Sequence, residues 1–266
     1  MGILNIGTQA LQANQVALQT TGNNIANVST AGYSRQSVVM QTVPGQYTGG
    51  GYIGKGVSVQ TVQRNFDAFL TRQSTLASAT QAADATRADN LKQLEALFPG
   101  GTNGLGAAVN DMLNAFSDVA SAPTDLTART VALTRVDETA SRMNAVAQQI
   151  TDLQSGVTQA LTEKVTTINS LAKSIANVNV QIVDATGNGQ PPNDLLDRRD
   201  QLIRDLNQYV QTTSVAADDG SVGLFIGGSQ ALVLGGSANP VSLAKDDFGQ
   251  ANAKLAISRN GVLTTL

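Results

Sequence analysis

The stretch MGILNIGTQALQANQVALQTTGNNIANVSTAGYS, Met1 to Ser34, contains no Asp, Glu, Lys or Arg. Leu4, Leu11, Leu18 and Ile25 recur in it every seven residues, with Ala10 and Ala17 beside them, so a helix here carries one narrow apolar seam. Its other faces are amides and hydroxyls, among them Gln9, Gln12, Asn14, Gln15, Gln19, Thr20, Asn23 and Asn24, which can be buried between neighbours without stranding a charge. A membrane span needs roughly 20 consecutive apolar residues. A secretory leader needs a basic start and an unbroken apolar run, and an interfacial helix carries Lys or Arg on its polar face. The segment fits none of these. It reads as a seam that wants partner helices, with an ordinary bundle helix as the alternative. A helix so polar is marginal alone in water, so it is expected to stay loose until something packs on it.

Composition bounds the remainder. A chain of 266 residues has room for one large or two modest domains. Cysteine and histidine are both absent, which removes disulfides, thiolate chemistry and the commonest general base and metal ligand. With no Trp and aromatics at 4%, long helices packed through Ala, Leu, Val and Ile are expected rather than a compact enzyme-like core. A net charge of −3 disfavours nucleic acid, which calls for clustered Lys and Arg. No cofactor is expected.

From Arg35 to Arg64 the pattern alternates, and two strands joined by a Gly-rich loop account for it. Within that loop Gly49 to Gly56 nearly matches a phosphate-binding loop. It fails because Gly56 stands where Ser or Thr must bind magnesium, and because a strand follows where a helix N-terminus is required. A long Ala-rich helix then carries Phe66, Phe69, Leu70, Leu76, Leu91, Leu94, Leu97 and Phe98 up to the stop at Pro99-Gly100-Gly101. A second helix runs from about Leu105 to Ala120. The longest element opens near Thr124, and its apolar residues from Val136 to Ile182 follow one another at spacings of three or four with no proline. At 1.5 Å per residue, roughly 60 residues reach about 90 Å. A break near Ser155-Gly156 into two antiparallel helices is the alternative.

Asp184 to Gly189 starts like a calcium loop, but Pro192 and Leu195 occupy the ninth and twelfth positions, so a plain turn is the better reading. The next run is Asn193-Asp194-Leu195-Leu196-Asp197-Arg198-Arg199-Asp200-Gln201-Leu202-Ile203-Arg204. It puts Asp194, Asp197 and Asp200 on one helical face, the only arrangement that suggests a hydrolase. The structural reading is stronger: Asn193 caps a helix, and Asp194 with Arg198 and Asp200 with Arg204 are i,i+4 pairs in the favourable order. From Thr212 onward short strands and Gly turns follow, ending in a hairpin at Asn260-Gly261.

Three stretches carry a family resemblance. The run Asn23-Asn24-Ile25-Ala26-Asn27-Val28-Ser29-Thr30-Ala31-Gly32-Tyr33-Ser34-Arg35 resembles the N-terminal signature of the flagellar axial proteins, the rod, hook and hook-associated family. Gly54 to Val62 followed by Arg64-Asn65-Phe66-Asp67-Ala68-Phe69-Leu70 is similar to that family's Gly-rich strand and helix start. The Asn193 to Ile203 run resembles the hook-associated branch, which points to the junction of hook and filament.

The expected fold class is mainly α: long coiled-coil-like helices in an elongated bundle, a small N-terminal β-hairpin flap and the start of a C-terminal all-β domain. The expected divisions are residues 1–65, 66–211 and 212–266. The resemblance implies a non-enzymatic structural subunit, exported through the flagellar channel to the cell exterior without a cleaved leader. It would associate with itself in a tube and meet the hook protein and a second hook-associated protein. Assembly contacts are expected at Leu4, Leu11, Leu18, Ile25, Asn23, Asn24, Asn27, Gly32, Tyr33, Phe66, Asp67, Phe69 and Leu70. No nucleic acid and no membrane insertion are expected. Because the family's C-terminal helix is not in the sequence, a fragment or truncated product is expected, and the docking region of an export chaperone falls outside it. Alternatives are a hook or rod subunit, a secreted adhesin, or a hydrolase built on the three aspartates.

Overall fold

The computed structural model describes residues 3–187, 189–246, 249–259 and 261–265. Met1, Asn188, Asn260 and Leu266, which figure in the first helix, the Asp184 loop and the last hairpin, lie outside the described residues.

The chargeless segment forms helix α1 (Ile3–Ala26). After a turn, strands β1 (Gln36–Thr42) and β4 (Val57–Arg64) pair antiparallel, Gln36 opposite Arg64 and Thr42 opposite Val57, with a bulge at Val39/Met40. The Gly-rich connection is itself a small hairpin, β2 (Gln46–Tyr47) on β3 (Tyr52–Ile53), with the Tyr47 and Tyr52 rings 5.5 Å apart. The alternation of Val and polar residues predicts the two long strands. The inner pair is too short to show in any period.

Helix α2 (Ala68–Ala96) follows, then α3 (Leu105–Ser121) and α4 (Leu126–Thr186). The last is one continuous helix of 61 residues, which resolves the open choice at Ser155-Gly156: Gly156 lies mid-helix with nothing within 4 Å of where a Cβ would stand. Helix α5 (Asn193–Asn207) and strands β5 (Thr213–Ala216), β6 (Val222–Ile226), β7 (Gln230–Leu234), β8 (Ser237–Ala238), β9 (Val241–Asp246), β10 (Gly249–Arg259) and β11 (Val262–Thr265) complete the chain. The strands form a sheet in the order β5-β6-β7-β8 and another in the order β11-β10-β9. The expected fold class therefore holds: mainly α with one very long helix, an N-terminal hairpin and a strand-rich end.

Packing gathers the chain into two units that do not follow the linear divisions at 65 and 211. One comprises residues 1–80, 165–244 and 255–266, the other residues 81–164 and 245–254. In the first, Ile168, Ile175, Leu206, Leu224, Leu232 and Ile257 belong to one buried cluster drawn from α4, α5 and the strands. In the second, the buried residues of α3 and α4 are small, Ala108, Ala115, Ala132 and Thr139, while Leu113, Phe116 and Leu133 are exposed. There the Thr139 hydroxyl donates to the Ala108 carbonyl at 3.1 Å, and Arg142 Nη1 donates to the Gly104 carbonyl at 3.3 Å.

Candidate functional site

The residues of the first signature come together where α1 ends. Asn24 acts as a backbone mimic: its Nδ2 donates to the Gln36 carbonyl and its Oδ1 accepts the Gln36 N–H, both at 2.8 Å. The same Oδ1 accepts the Tyr33 hydroxyl at 2.8 Å, and Asn23 Nδ2 reaches the Tyr33 oxygen at 3.4 Å. Asn27 Nδ2 turns back to the Asn23 carbonyl at 3.0 Å, as expected of an amide at a helix end. Together these bonds fold the chain from α1 into β1. The phenol of Tyr33 is raised above its ordinary value by burial first, then by the nearby carboxylates of Asp194 and Asp197.

Gly32 occupies the turn for two reasons. Its φ of +84° is left-handed. A Cβ there would also lie 2.8 Å from Gln201 Oε1 and 3.1 Å from Gln201 Cβ, because the turn presses onto α5.

Helix α5 receives this turn through the face carrying its aspartates. Asp197 is buried and closes the open end of the β1/β4 pair: Oδ2 accepts the N–H of Ser34, just before β1, at 2.8 Å, and Oδ1 accepts Nη1 of Arg64, the last residue of β4, at 3.0 Å. Asp200 Oδ2 takes the same Arg64 nitrogen at 2.6 Å, and the guanidinium lies 4.1 Å over the Phe66 ring. Arg199, also buried, stands 3.7 Å from Asp200 and donates through Nη1 to the Gly220 carbonyl at 2.8 Å. Burial lowers the Arg199 guanidinium, and Asp200 opposes that shift. Two cations and two carboxylates thus neutralise one another out of water, the condition under which buried ions are tolerated. Gln36 Nε2 adds a 3.3 Å bond to Asp194 Oδ1.

This arrangement corrects two sequence expectations. Among the described residues, neither Asp194–Arg198 nor Asp200–Arg204 forms an ion pair: Asp200 is taken by Arg64, and Arg204 donates to Gln201 Oε1 at 2.8 Å. Asn193 is the first residue of α5 and not its side-chain cap; its Nδ2 donates to the Val62 carbonyl on β4 at 2.7 Å. In both cases a tertiary partner takes the place of the local one: groups that burial strips of water must be paired where they are buried, and charges there are screened far less than on an exposed helix face.

The helix-start motif also resolves into separate jobs. Asp67 Oδ1 accepts the N–H groups of Phe69 at 2.8 Å and Leu70 at 3.0 Å, capping α2. Phe69 and Leu70 are exposed.

The apolar seam of α1 lies on the outside. Leu4, Leu11, Leu18 and Ile25 are 85%, 70%, 73% and 70% exposed. The helix instead turns its small face, with Ala13 3% exposed, toward β1 and β4. Gly56, at φ +92° just before β4, lies so close to α1 that a Cβ would stand 3.2 Å from Ile6 Cγ2. An open cleft of about 390 Å³ separates the end of α1 from α5, lined by Asn23, Tyr33, Asp194, Arg198 and Gln201 among others. Among the described residues no cluster of acidic side chains could hold a metal ion, and no helix is long and apolar enough to cross a membrane.

Comparisons with known proteins match two stretches of the chain. The family described as "Flagellar hook-associated protein FlgK helical domain" matches residues 91–265, and "Flagella basal body rod protein" matches residues 4–33. Flagellar hook-associated protein 1 of Salmonella typhimurium is 32% identical over 242 residues, covering 90% of this chain and 44% of that protein. Its Bacillus subtilis counterpart is 31% identical over 215 residues, covering 78% and 42%. The chain thus spans less than half the length of these curated relatives. The solved flagellar hook junction protein FlgK from Burkholderia pseudomallei superposes with a TM-score of 0.67 at 26% identity, over 73% of this chain and 36% of that one.

Proposed function

Because the chain belongs to the flagellar hook-associated family that carries the FlgK helical domain, we propose that it serves as a structural, non-enzymatic subunit at the junction of hook and filament. The observation that carries this reading is the outward seam of α1: four large aliphatic residues in heptad register, all at least 70% exposed, on a helix without a single charge. Such a face is stable only against other helices. Self-association in a tube supplies them, with the α1 helices inward and the helices between residues 66 and 211 forming the wall. One interface set would then meet the hook protein and another a second hook-associated protein. Export by the flagellar channel to the cell exterior accords with a leading segment that is marginal alone.

Asp194, Asp197 and Asp200 take structural roles in this reading, since they hold the Gln36 side chain, Arg64 and the Ser34 amide. Electron microscopy of cells deleted for the gene, with an assay for filament protein in the medium, tests the proposal. Hooks without filaments, together with shed filament subunits, are expected. Loss of the hooks as well would make the protein a rod or hook part, a reading that the match of residues 4–33 to a rod protein family also favours. Normal flagella would overturn both.

A further inference from the structure

Two surfaces of the first unit stand at opposite ends of α1. At its start the small hairpin β2/β3 closes over the helix, where Asn5, Ile6, Gln46, Ile53 and Lys55 help to line a cavity of about 190 Å³. Tyr47, Tyr52 and Ile53 are all exposed on this flap, and the two rings lean on each other at 56°. A two-stranded hairpin is marginal without a packed face, so an aromatic pair displayed on one calls for a surface to cover it. At the other end of α1 lies the open cleft of about 390 Å³ against α5. On its α5 wall Arg198 is exposed and, among the described residues, has neither an ion pair nor a hydrogen bond. Beside it Asp194 uses only Oδ1, which accepts from Gln36.

We propose that the flap of one copy seats in the α1/α5 cleft of a second copy, so that copies stack head to tail along α1. The flap cannot reach its own cleft. Gly56 holds its base against Ile6, and Ile6 and Asn23 are about 25 Å apart at 1.5 Å per helical residue. The lining suits this occupant. Tyrosine and arginine are enriched among the residues that carry interface energy, and a guanidinium sits favourably on a phenol ring. Tyr52 offers its ring to Arg198, and its hydroxyl, unpartnered among the described residues, donates to the free oxygen of Asp194. Ile53 meets Leu202, the large aliphatic residue of the lining. Because flap and cleft are different surfaces, the contact is heterologous. Each copy keeps one of them for the next, which builds an open stack instead of a closed pair. The inference rests on the self-association proposed above: the α1 seam packs copies side by side, and the flap sets their spacing along the helix.

The chain contains no cysteine, so a disulfide between introduced cysteines reports proximity directly. Cells producing Tyr52→Cys from one gene copy and Arg198→Cys from another are oxidised, and the protein is read on non-reducing gels. Both side chains are exposed, so neither change is expected to disturb folding. The mixed pair should give at least about tenfold more dimer than either variant alone, since a disulfide requires Cβ atoms within about 4.5 Å of each other. Tyr47→Cys with Thr30→Cys is a second pair, judged by the same criteria should the first fail to yield protein. Leu11→Cys with Leu18→Cys reads the seam separately. Seam cross-links without flap cross-links would overturn this proposal and leave the seam standing, whereas flap cross-links alone would uphold it and overturn the seam. Equal dimer from Tyr52→Cys by itself would overturn it by making the contact symmetric. Cross-links only to other proteins, or none from any pair, would overturn it as well.

Discussion

Asparagine is the residue on which this structure leans most. Asn24, Asn169 and Asn179 each exchange two hydrogen bonds with the backbone of one strand residue, Gln36, Val241 and Val222 respectively, at 2.8–3.2 Å. Asn179 adds the Gly235 carbonyl at 2.9 Å and is fully buried. A side-chain amide presents one donor and one acceptor, so it completes a strand edge that a helix could not otherwise satisfy. The asparagines ending α1 are legible in the sequence as helix-terminating residues. Asn169 and Asn179 carry no such terminal pattern, and the sequence sign of their tertiary bonds is subtler: for Asn179, a polar residue inside an apolar stripe among Ile175, Val178 and Ile182. Tyr33 shares the Asn24 carbonyl oxygen, and its phenol is raised above 10.0. A raised acid favours its neutral form in the folded state. The stability it contributes is therefore present below pH 10 and lost as pH rises through the folded value. In absorbance titrations, wild type minus Tyr33→Phe should show a phenol ionising above the ordinary tyrosine value, and the alkaline loss of stability should shrink in the variant.

At the scale of elements, α1 shows that periodicity identifies a stripe without saying which face a protein keeps for itself. Its heptad leucines face solvent, and its alanine face packs on the hairpin. Leu11→Asp or Leu18→Asp should leave the unfolding free energy of the isolated chain within about 0.5 kcal/mol of wild type, as for other exposed sites. In cells the same substitutions should abolish incorporation at the hook end, seen by electron microscopy as hooks without filaments. Helix α4 makes the complementary point. Its spacing of three and four predicted one long helix or two, and only the coordinates chose between them. Gly156 sits helically in open surroundings, so Gly156→Ala should stabilise the chain by about 0.5–1 kcal/mol through lower unfolded-state entropy. A lower midpoint in urea would contradict this placement.

For the whole molecule, α5 decides how the first unit hangs together. Leu206 is fully buried in the hydrophobic cluster, and Leu206→Ala should cost about 2–5 kcal/mol by transfer and cavity terms. Urea unfolding should report that loss through probes in the sheets and through probes in the N-terminal hairpin alike, whereas a change confined to the aspartate face should reach the hairpin alone. The element types along most of the chain, the helix stops and the family were determined by sequence: they rest on local periodicity, on Gly and Pro, and on short motifs such as Asn23 to Arg35. Tertiary structure alone decided which partners the charges took. Asp200 binds Arg64 instead of Arg204, Asn193 holds β4 instead of capping α5, and the leucine seam is left outside. The first two outcomes depend on residues more than a hundred positions apart meeting under burial, and no local pattern encodes that competition.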